Sequence, residues 1–496
     1  MTALCWFRTD LRTVDNPALT AALQSGPAYA VFVVAPEQWR LHHDAPAKIH
    51  LWWRTLDYLV PELEKIGVAL KILRVQTWQE VPEALSNLCQ TLKVNSVHCN
   101  REHGLYERQR DQASYKVLAQ AGIHLVGHDG NTLLPPGTVK TGNDDYYRVF
   151  TPFSKACRIK LKANLTNFLT PLETLLAQPL PKDMVADALS TQWPESEAAM
   201  GLGEEQRLNM TKWWPARSDD VLASLNTFTQ APIHEYKVQR DLPAQPGTSQ
   251  LSPYLASGLV SARMCLYKAL NENTVDIEKT GEGVHTWVSE ILWREFYQHL
   301  LHGYPKLSMH KPLRDDTLGI VWRDEPDEFE AWCTGRTGIP IVDAAMRQLV
   351  NTGWMHNRLR MVVAMFLTKN LLIDWHKGEA FFMQHLIDGD LAANNGGWQW
   401  SASTGADSAP YFRVFNPVSQ SEKFDADGVF IKKWLPELAS LDSKSIHDPA
   451  PLQRQSLNYP MAIVDLKSSR VRAIEAFKNH LKNDAKIADD ALNVMS

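Results

Sequence analysis

Up to Gly127 the chain alternates short apolar runs with longer amphipathic ones, and this alternation constrains the fold more than any other feature. "ALCWF" leads to "NPALTAAL", and "AYAVFVVA" to "PAKIHLWWRTLDYLVPELEKIG". "VALKILRV" precedes "TWQEVPEALSNLCQTL", "SVHCN" precedes "YERQRDQASYKVLAQAG", and "IHLVG" closes the series. Repeated βα units call for a Rossmann-like parallel sheet with helices on both faces. The first domain is therefore expected over 1–130. "WFRTDLR" follows its first run where a GxGxxG would stand, so an ordinary dinucleotide fingerprint is missing. From Asn131 to Trp213 prolines recur, "PESEAAMGLGEEQR" is polar and periodicity fades, which predicts a long connector with a few short helices. Helical patterns alone remain afterwards. An all-helical domain is expected over 214–474 and a short tail over 475–496. Two or three domains suit 496 residues.

Hydrophobic content of 44% and charged content of 22% fit a soluble globular chain. A net charge of -5 excludes a uniformly basic nucleic-acid binder. Between Arg336 and Lys377, however, six basic residues face two acids, a local excess that suits phosphate as well as it suits a solvated helix face. Cys5, Cys89, Cys99, Cys157, Cys265 and Cys333 are scattered without a CxxC pair, so no metal site or disulfide frame is expected. "MTALCWFRTDLR" is too polar for a signal peptide, and no apolar run is long enough for a bilayer; a reducing, cytoplasmic setting is expected.

Four segments carry the chemistry. "IDGDLAANNGGWQWSASTGAD" (387–407) sets Asn394 and Asn395 before two glycines, a composition suited to close backbone approach to a ligand. "WVSEILWREFYQHLL" is a helix that places Trp287, Glu290 and Arg294 on one face. A carboxylate beside Trp287 and Trp293 is expected to be desolvated and to act as a proton donor, against the plainer reading of a surface Glu–Arg pair. "GWMHNRLRMVVAMFL" is a second helix with Trp354, Asn357, Arg358, Met361 and Met365 at helical spacing. Such a stripe is usually core, but Asn357 and Arg360 need polar partners there, for which Asp388 and Asp390 are candidates. In "GTSQLSPYLASG" the hydroxyls of Thr248, Ser249 and Ser252 precede a helix, which suits a phosphate or an ordinary N-cap.

These segments, with "CWFRTDLRTVDNPAL", "VFTPFSKA", "EYKVQRDLPAQPGTSQLSPYLASG" and "APYFRVFNP", resemble the photolyase/cryptochrome family over nearly the whole chain. The match is closest to the class I cyclobutane pyrimidine dimer (CPD) photolyases, carbon–carbon lyases that repair DNA. The resemblance implies an N-terminal α/β antenna domain and a C-terminal helical domain holding FAD, active as FADH⁻, which when photoexcited gives the dimer the electron that splits it. It implies that Tyr236, Thr248, Ser249, Leu251 and Ser252 line the phosphate and ribitol side of the flavin. Gln250 stands where many bacterial relatives carry Arg. Trp287, Glu290, Arg294, Asn357, Arg360, Asp388, Asp390 and Asn394 complete the cofactor set: Asp388 pairs with Arg360, Asp390 reaches the ring edge and Asn394 faces flavin N5. A protonated Glu290, with Asn357, would bind the dimer; Trp293, Met361 and Trp400 would wall the flipped lesion. Arg240, Arg358 and Arg413 would grip phosphates. Trp398, Trp375 and Trp322 would relay electrons to oxidised flavin.

For an antenna, His42 and Glu107 match the family's folate pattern. Tyr106 and Met309 depart from it, where Asn and Lys are usual. Methenyltetrahydrofolate, a deazaflavin or no antenna all stay open. The implied partner is damaged DNA, single- or double-stranded, met by a monomer in the cytoplasm and at the nucleoid. Two other readings stand beside repair of CPDs: a cryptochrome-type blue-light photoreceptor and a 6–4 photolyase. The dimer-contacting set argues against the first, and Met361, where a histidine is usual, against the second.

Overall fold

A computed structural model describes residues 2–170, 172, 175–189, 202–271 and 276–495, with side chains described as far as 480. The part of the expected connector at 190–201 lies outside these residues.

The N-terminal strands form where the apolar runs predict them: β1 (Thr2–Phe7), β2 (Ala28–Val34), β3 (Ala69–Arg74), β4 (Val94–Asn100) and β5 (His124–His128). They make one parallel sheet in the order β3-β2-β1-β4-β5. Between them run α1 (Pro17–Ser25), α2 (Pro46–Lys65), α3 (Val81–Thr91) and α4 (Leu105–Gln120). Strand order reverses at β1, the topological switch point of a doubly wound sheet. Asn16 caps α1 by accepting from Leu19 N at 3.2 Å, and proline opens the helix.

The rest is helical. It comprises, among others, α5 (Phe150–Ala163), α6 (Ser252–Ser257), α7 (Glu282–Gly303), α8 (Pro340–Thr352), α9 (Asn357–Met365), α10 (Trp375–His385), α11 (Leu391–Ala402) and α12 (Leu466–Met495). One departure from the sequence reading has a local cause. His356 caps α9 by accepting from Arg358 N, so Trp354 lies before the helix and not on its stripe. Helix α12 runs on through Met495 and takes in the expected short tail.

The chain divides into two compact units. The first comprises Met1–Lys237, Ser249–Ser308 and Ile387–Ala392; the second comprises Val238–Thr248, Met309–Leu386 and Ala393–Ser496. In the first, Arg12 of "WFRTDLR" acts as a staple. Its guanidinium donates to the carbonyls of Asp15, Gly130 and Gly258 at 2.8–3.1 Å. The loop after β1 is thereby tied to the end of α6, and Leu11 N adds a bond to Ser257 O at 3.2 Å. In the second unit, a core of Trp332, Ile341, Leu349, Leu359, Phe366, Leu371, Phe382 and Trp398 supports α8 to α11. Between α9 and α10 the turn Phe366–Asn370 is a π-helix, and it turns Lys369 fully inward.

Gly258 has φ +76°, and a Cβ there would stand 2.1 Å from the carbonyl oxygen of Thr9. Gly122 has φ +75° with nothing within 4 Å. Gly122→Ala is expected to cost only the left-handed penalty of about 1–2 kcal/mol. Gly258→Ala should lose that and roughly 1–3 kcal/mol more for displaced main chain. Urea unfolding of the two variants checks the difference.

Candidate functional site

The residues named from the sequence fall in both units, and each unit builds its share separately. In the first, α6 begins at Ser252, after Gln250 in a left-handed turn (φ +51°) and a buried Leu251. Ser249 Oγ accepts from the indole N–H of Trp287 at 3.3 Å, which fixes Ser249 against α7. Trp287 packs in turn on Phe228, which also meets Tyr236. Asp390 accepts from Gln298 at 3.1 Å, while Asp388 is buried.

Helix α7 holds Glu290 half-buried, and the wholly buried carboxyl on this helix is Glu295. Burial pushes Glu295 up to about 7 despite the neighbouring Arg294. Glu295 Oε2 accepts from Leu134 N at 3.4 Å, and Arg294 donates to Asn131 O at 2.7 Å. The adjacent pair thus pins the start of the connector. Trp293 stacks on Phe150 with ring centres 3.7 Å apart and planes 8° apart, and stays half-buried.

His42 and Glu107 are also in the first unit. His42 bonds Gln38 at 2.9 Å and sets its ring edge-on to Trp78, with Tyr106 at 5.9 Å. Glu107 Oε2 is buried and makes no hydrogen bond, and burial pushes the carboxyl up to about 7, with Glu102 adding to the shift. At the end of β1 a separate cavity of about 60 Å³ is lined by Trp6, Arg8, Trp39, Trp52, Trp78 and Arg110. Arg110 lies between the rings of Trp6 and Trp78, 4.9 and 4.6 Å from their centres, and is held by Glu102 at 2.9 Å. The space left admits a few waters.

In the second unit the short polar stretch "NNGG" is a helix after all, α11, and it is tethered by buried polar bonds. Asn394 Nδ2 donates to Glu379 O at 3.0 Å, and Asn395 Nδ2 to Glu379 Oε1 at 2.9 Å. Gln399 donates to Asn395 Oδ1 at 2.9 Å and to Lys311 O at 3.2 Å, and accepts from Leu313 N at 2.8 Å. Past the helix end, Lys369 Nζ donates to Ala402 O and Ser403 Oγ at 3.1 and 2.9 Å and sits 3.5 Å from the ring centre of Phe477. Burial, with Arg314 nearby, lowers the Lys369 pKa strongly. A Cβ on Gly397 would meet nothing within 4 Å, so this side of α11 is open to a ligand.

Of the expected relay, Trp398 is buried against Phe382 and Trp332, with ring centres 5.0 and 6.0 Å apart. Trp375 is buried and stacks on His376 at 3.9 Å. Trp322 is half-buried and edge-on to Phe477 at 6.0 Å. Among the described residues, the ring contacts of these three run to other rings, not to one another. Trp400 and Met361 are half-buried, and Asn357 and Arg413 are exposed. Arg360 donates to Met355 O at 2.8 Å. Arg358 already has an acidic partner, Asp241, at 2.9 Å, and lies over Phe424 at 4.5 Å. Arg240 is 3.9 Å from the same Asp241. Thr248 is half-buried at the end of this segment.

Sequence reasoning missed Asp241, Gln298, Glu295, Trp332, Lys369 and the Glu379–Asn395–Gln399 bonds. Only Gln399 carried a signal: a glutamine between two tryptophans on one helix needs buried partners.

Each unit carries groups of a kind that suits a flavin dinucleotide: in the first, hydroxyls at the start of α6 and carboxylates at 388 and 390; in the second, the anchored amide of Asn394. A family model described as DNA photolyase matches residues 3–175, and one described as FAD binding domain of DNA photolyase matches 287–479. A deoxyribodipyrimidine photo-lyase of Vibrio cholerae is 45% identical, covering 96% of this chain and 99% of the relative. That of Escherichia coli is 40% identical over 96% and 98%. The crystal structure of a class III photolyase from Agrobacterium tumefaciens superposes with a TM-score of 0.83 at 33% identity, covering 97% and 98%.

Glu107 titrates higher when folded than its ordinary value of 4.5, so its contribution to stability is full below that value and is lost as pH rises through about 7. Between pH 5 and pH 8 the melting temperature of the wild type is expected to fall more than that of Glu107→Gln.

Proposed function

The chain belongs to the DNA photolyase family, and we propose how its own side chains carry out light-driven repair of cyclobutane pyrimidine dimers in DNA. The observation that carries the reading is the tethered helix α11, which presents Asn394, Trp398 and Trp400 from one rigid element. When bound, reduced FAD supplies on blue-light excitation the electron that opens the cyclobutane ring.

The protein places that electron and its acceptor. Thr248, Ser249, Gln250, Leu251 and Ser252, with Tyr236, hold the phosphate and ribitol side. Trp287, Arg294, Arg360, Asp388, Asp390 and Asn394 set the ring. Glu290, protonated, donates its O–H to a dimer carbonyl, with Asn357 beside it, and stabilises charge that develops there. Trp293, Met361 and Trp400 wall the flipped dimer, and Arg240, Arg358 and Arg413 hold the backbone on either side. Trp398, Trp375 and Trp322 return electrons to oxidised flavin. In this scheme residues 1–130 form the antenna part, 131–213 the connector, 214–474 the catalytic part and 475–496 its end. The protein acts as a monomer in the cytoplasm.

For the antenna we favour methenyltetrahydrofolate. The orphaned oxygen of Glu107 offers an acceptor to a pterin N–H, with His42 nearby in the same unit held by Gln38. Folate, and not FAD, should be lost from Glu107→Gln on acid release.

Loss of dimers from a thymine-dimer oligonucleotide under blue light tests the function; no loss with FAD-loaded, reduced protein refutes it. Two variants test the division of labour in "WQW". Trp398→Phe should block flavin bleaching under blue light while chemically reduced protein still repairs. Trp400→Ala removes a stacking surface, roughly 1–3 kcal/mol, and should weaken dimer binding about five- to a hundred-fold with bleaching intact. Because Asp241 neutralises Arg358, Asp241→Asn should tighten binding to undamaged duplex and steepen its salt dependence by about one phosphate contact. An unchanged salt slope would rule out Arg358 as a phosphate contact.

A further inference from the structure

The polar bonds around α11 form a circuit whose two arms both lead to Glu379. Leu313 N–H donates to Gln399 Oε1, Gln399 Nε2 to Asn395 Oδ1, and Asn395 Nδ2 to Glu379 Oε1. From the other side His310 Nδ1 meets Glu379 Oε2 at 2.9 Å. The path starts and ends in the segment 310–313. Gln399, Asn395 and Glu379 are wholly buried, while His310 is half-exposed. Each amide is locked by the next. Turning Asn395 over would set its NH₂ against that of Gln399; turning Gln399 over would set NH₂ against the Leu313 N–H. While His310 Nδ1 carries a hydrogen, the two arms can meet only on a group that accepts from both sides, and a carboxylate is such a group.

We propose that Glu379 is a positioning residue whose carboxylate terminates this circuit and thereby orients Asn394 toward the flavin. The link is its own main chain: Glu379 O holds Asn394 Nδ2, which leaves Asn394 Oδ1 as the acceptor offered to a ligand N–H. The inference rests on the reading that Asn394 faces the flavin.

The circuit has one titratable entrance. The groups facing His310 are Glu379 at Nδ1 and His376, whose Nε2 lies 2.6 Å from His310 O and whose Nδ1 is held by Asp374 at 2.7 Å. The hydrogen bond and charge of Glu379 raise the His310 pKa, against burial and His376. Wild-type Glu379 accepts from imidazolium or from the neutral Nδ1–H tautomer, so the circuit is complete on both sides of the histidine titration. Glu379→Gln changes this. Its amide oxygen must face Asn395, so its NH₂ must face His310 Nδ1. Neutral His310 can turn that nitrogen into an acceptor by changing tautomer; imidazolium cannot.

The test is the affinity for FAD and the absorption spectrum of bound flavin, each at pH 8 and pH 5.5. Wild type is expected to change less than twofold in affinity. Glu379→Gln should match wild type at pH 8 and bind FAD at least tenfold more weakly at pH 5.5. Adding His310→Phe to Glu379→Gln should remove most of that pH dependence. The Asp374–His376 pair is common to all these proteins and cancels in the comparison. Equal loss at both pH values, or no loss at either, overturns the proposal. If Glu379→Gln does not fold by circular dichroism, Gln399→Met decides. It breaks the circuit one link away without charge and should shift the flavin spectrum toward that of Asn394→Ala; an unshifted spectrum overturns the proposal. Asn394→Ala alone tests the underlying reading: if it leaves the spectrum at wild type, Asn394 does not face the flavin, whatever the pH comparison gives.

Discussion

A helix with Asn-Asn-Gly-Gly at its centre cannot hold itself. Each glycine there costs about 1 kcal/mol relative to alanine, and the asparagines compete for their own backbone. In α11 this weakness is offset by buried hydrogen bonds from outside the helix. Glu379 and the 311–313 segment grip its first two turns and Gln399, and the Lys369 amine donates to the carbonyl of Ala402 at its end. Everything assigned to the helix, from Asn394 to Trp400, takes its position from these bonds.

The same economy appears in the α/β part. No glycine-rich turn follows β1; Arg8, Arg12 and Arg110 occupy the switch point and are matched by Asp111, by backbone carbonyls and by Glu102. A buried guanidinium held by carboxylates and carbonyls in this way is a strut, not a binding group. Glu107, one turn before Arg110 on α4, keeps a buried oxygen without a hydrogen bond.

How much of this was legible in the sequence depends on range. The strands and the helices α1 to α4 came from local periodicity, and each stands where its apolar run stands. The family motifs named Trp287 and Ser249, and the structure joins them by one bond. The features that stayed hidden depend on contacts distant in sequence. Nothing in "HKGEAFFMQH" marks Glu379 as the acceptor for Asn395, sixteen residues later. Asp241 reads as one acid in "QRDLPAQ" until Arg358 is placed beside it. Glu290 and Glu295 differ by five residues on one helix, and only the packing decides which is dry. The start of α9 is hidden because His356, a rare cap, does the work of a serine.

The π-turn at Phe366–Asn370 has a consequence for how this chain tolerates change in length. A π-turn holds one residue more than the α-helical turn it replaces. Removing a single residue there would let the segment close as ordinary helix, and because one turn then takes one residue fewer, α10, with Trp375 and Glu379, would keep its phase. The side chains within the turn would be re-aimed, and Lys369 would lose its place under Ala402. A deletion of one codon is thus absorbed by the turn, and its cost falls on the contact that anchors the end of α11.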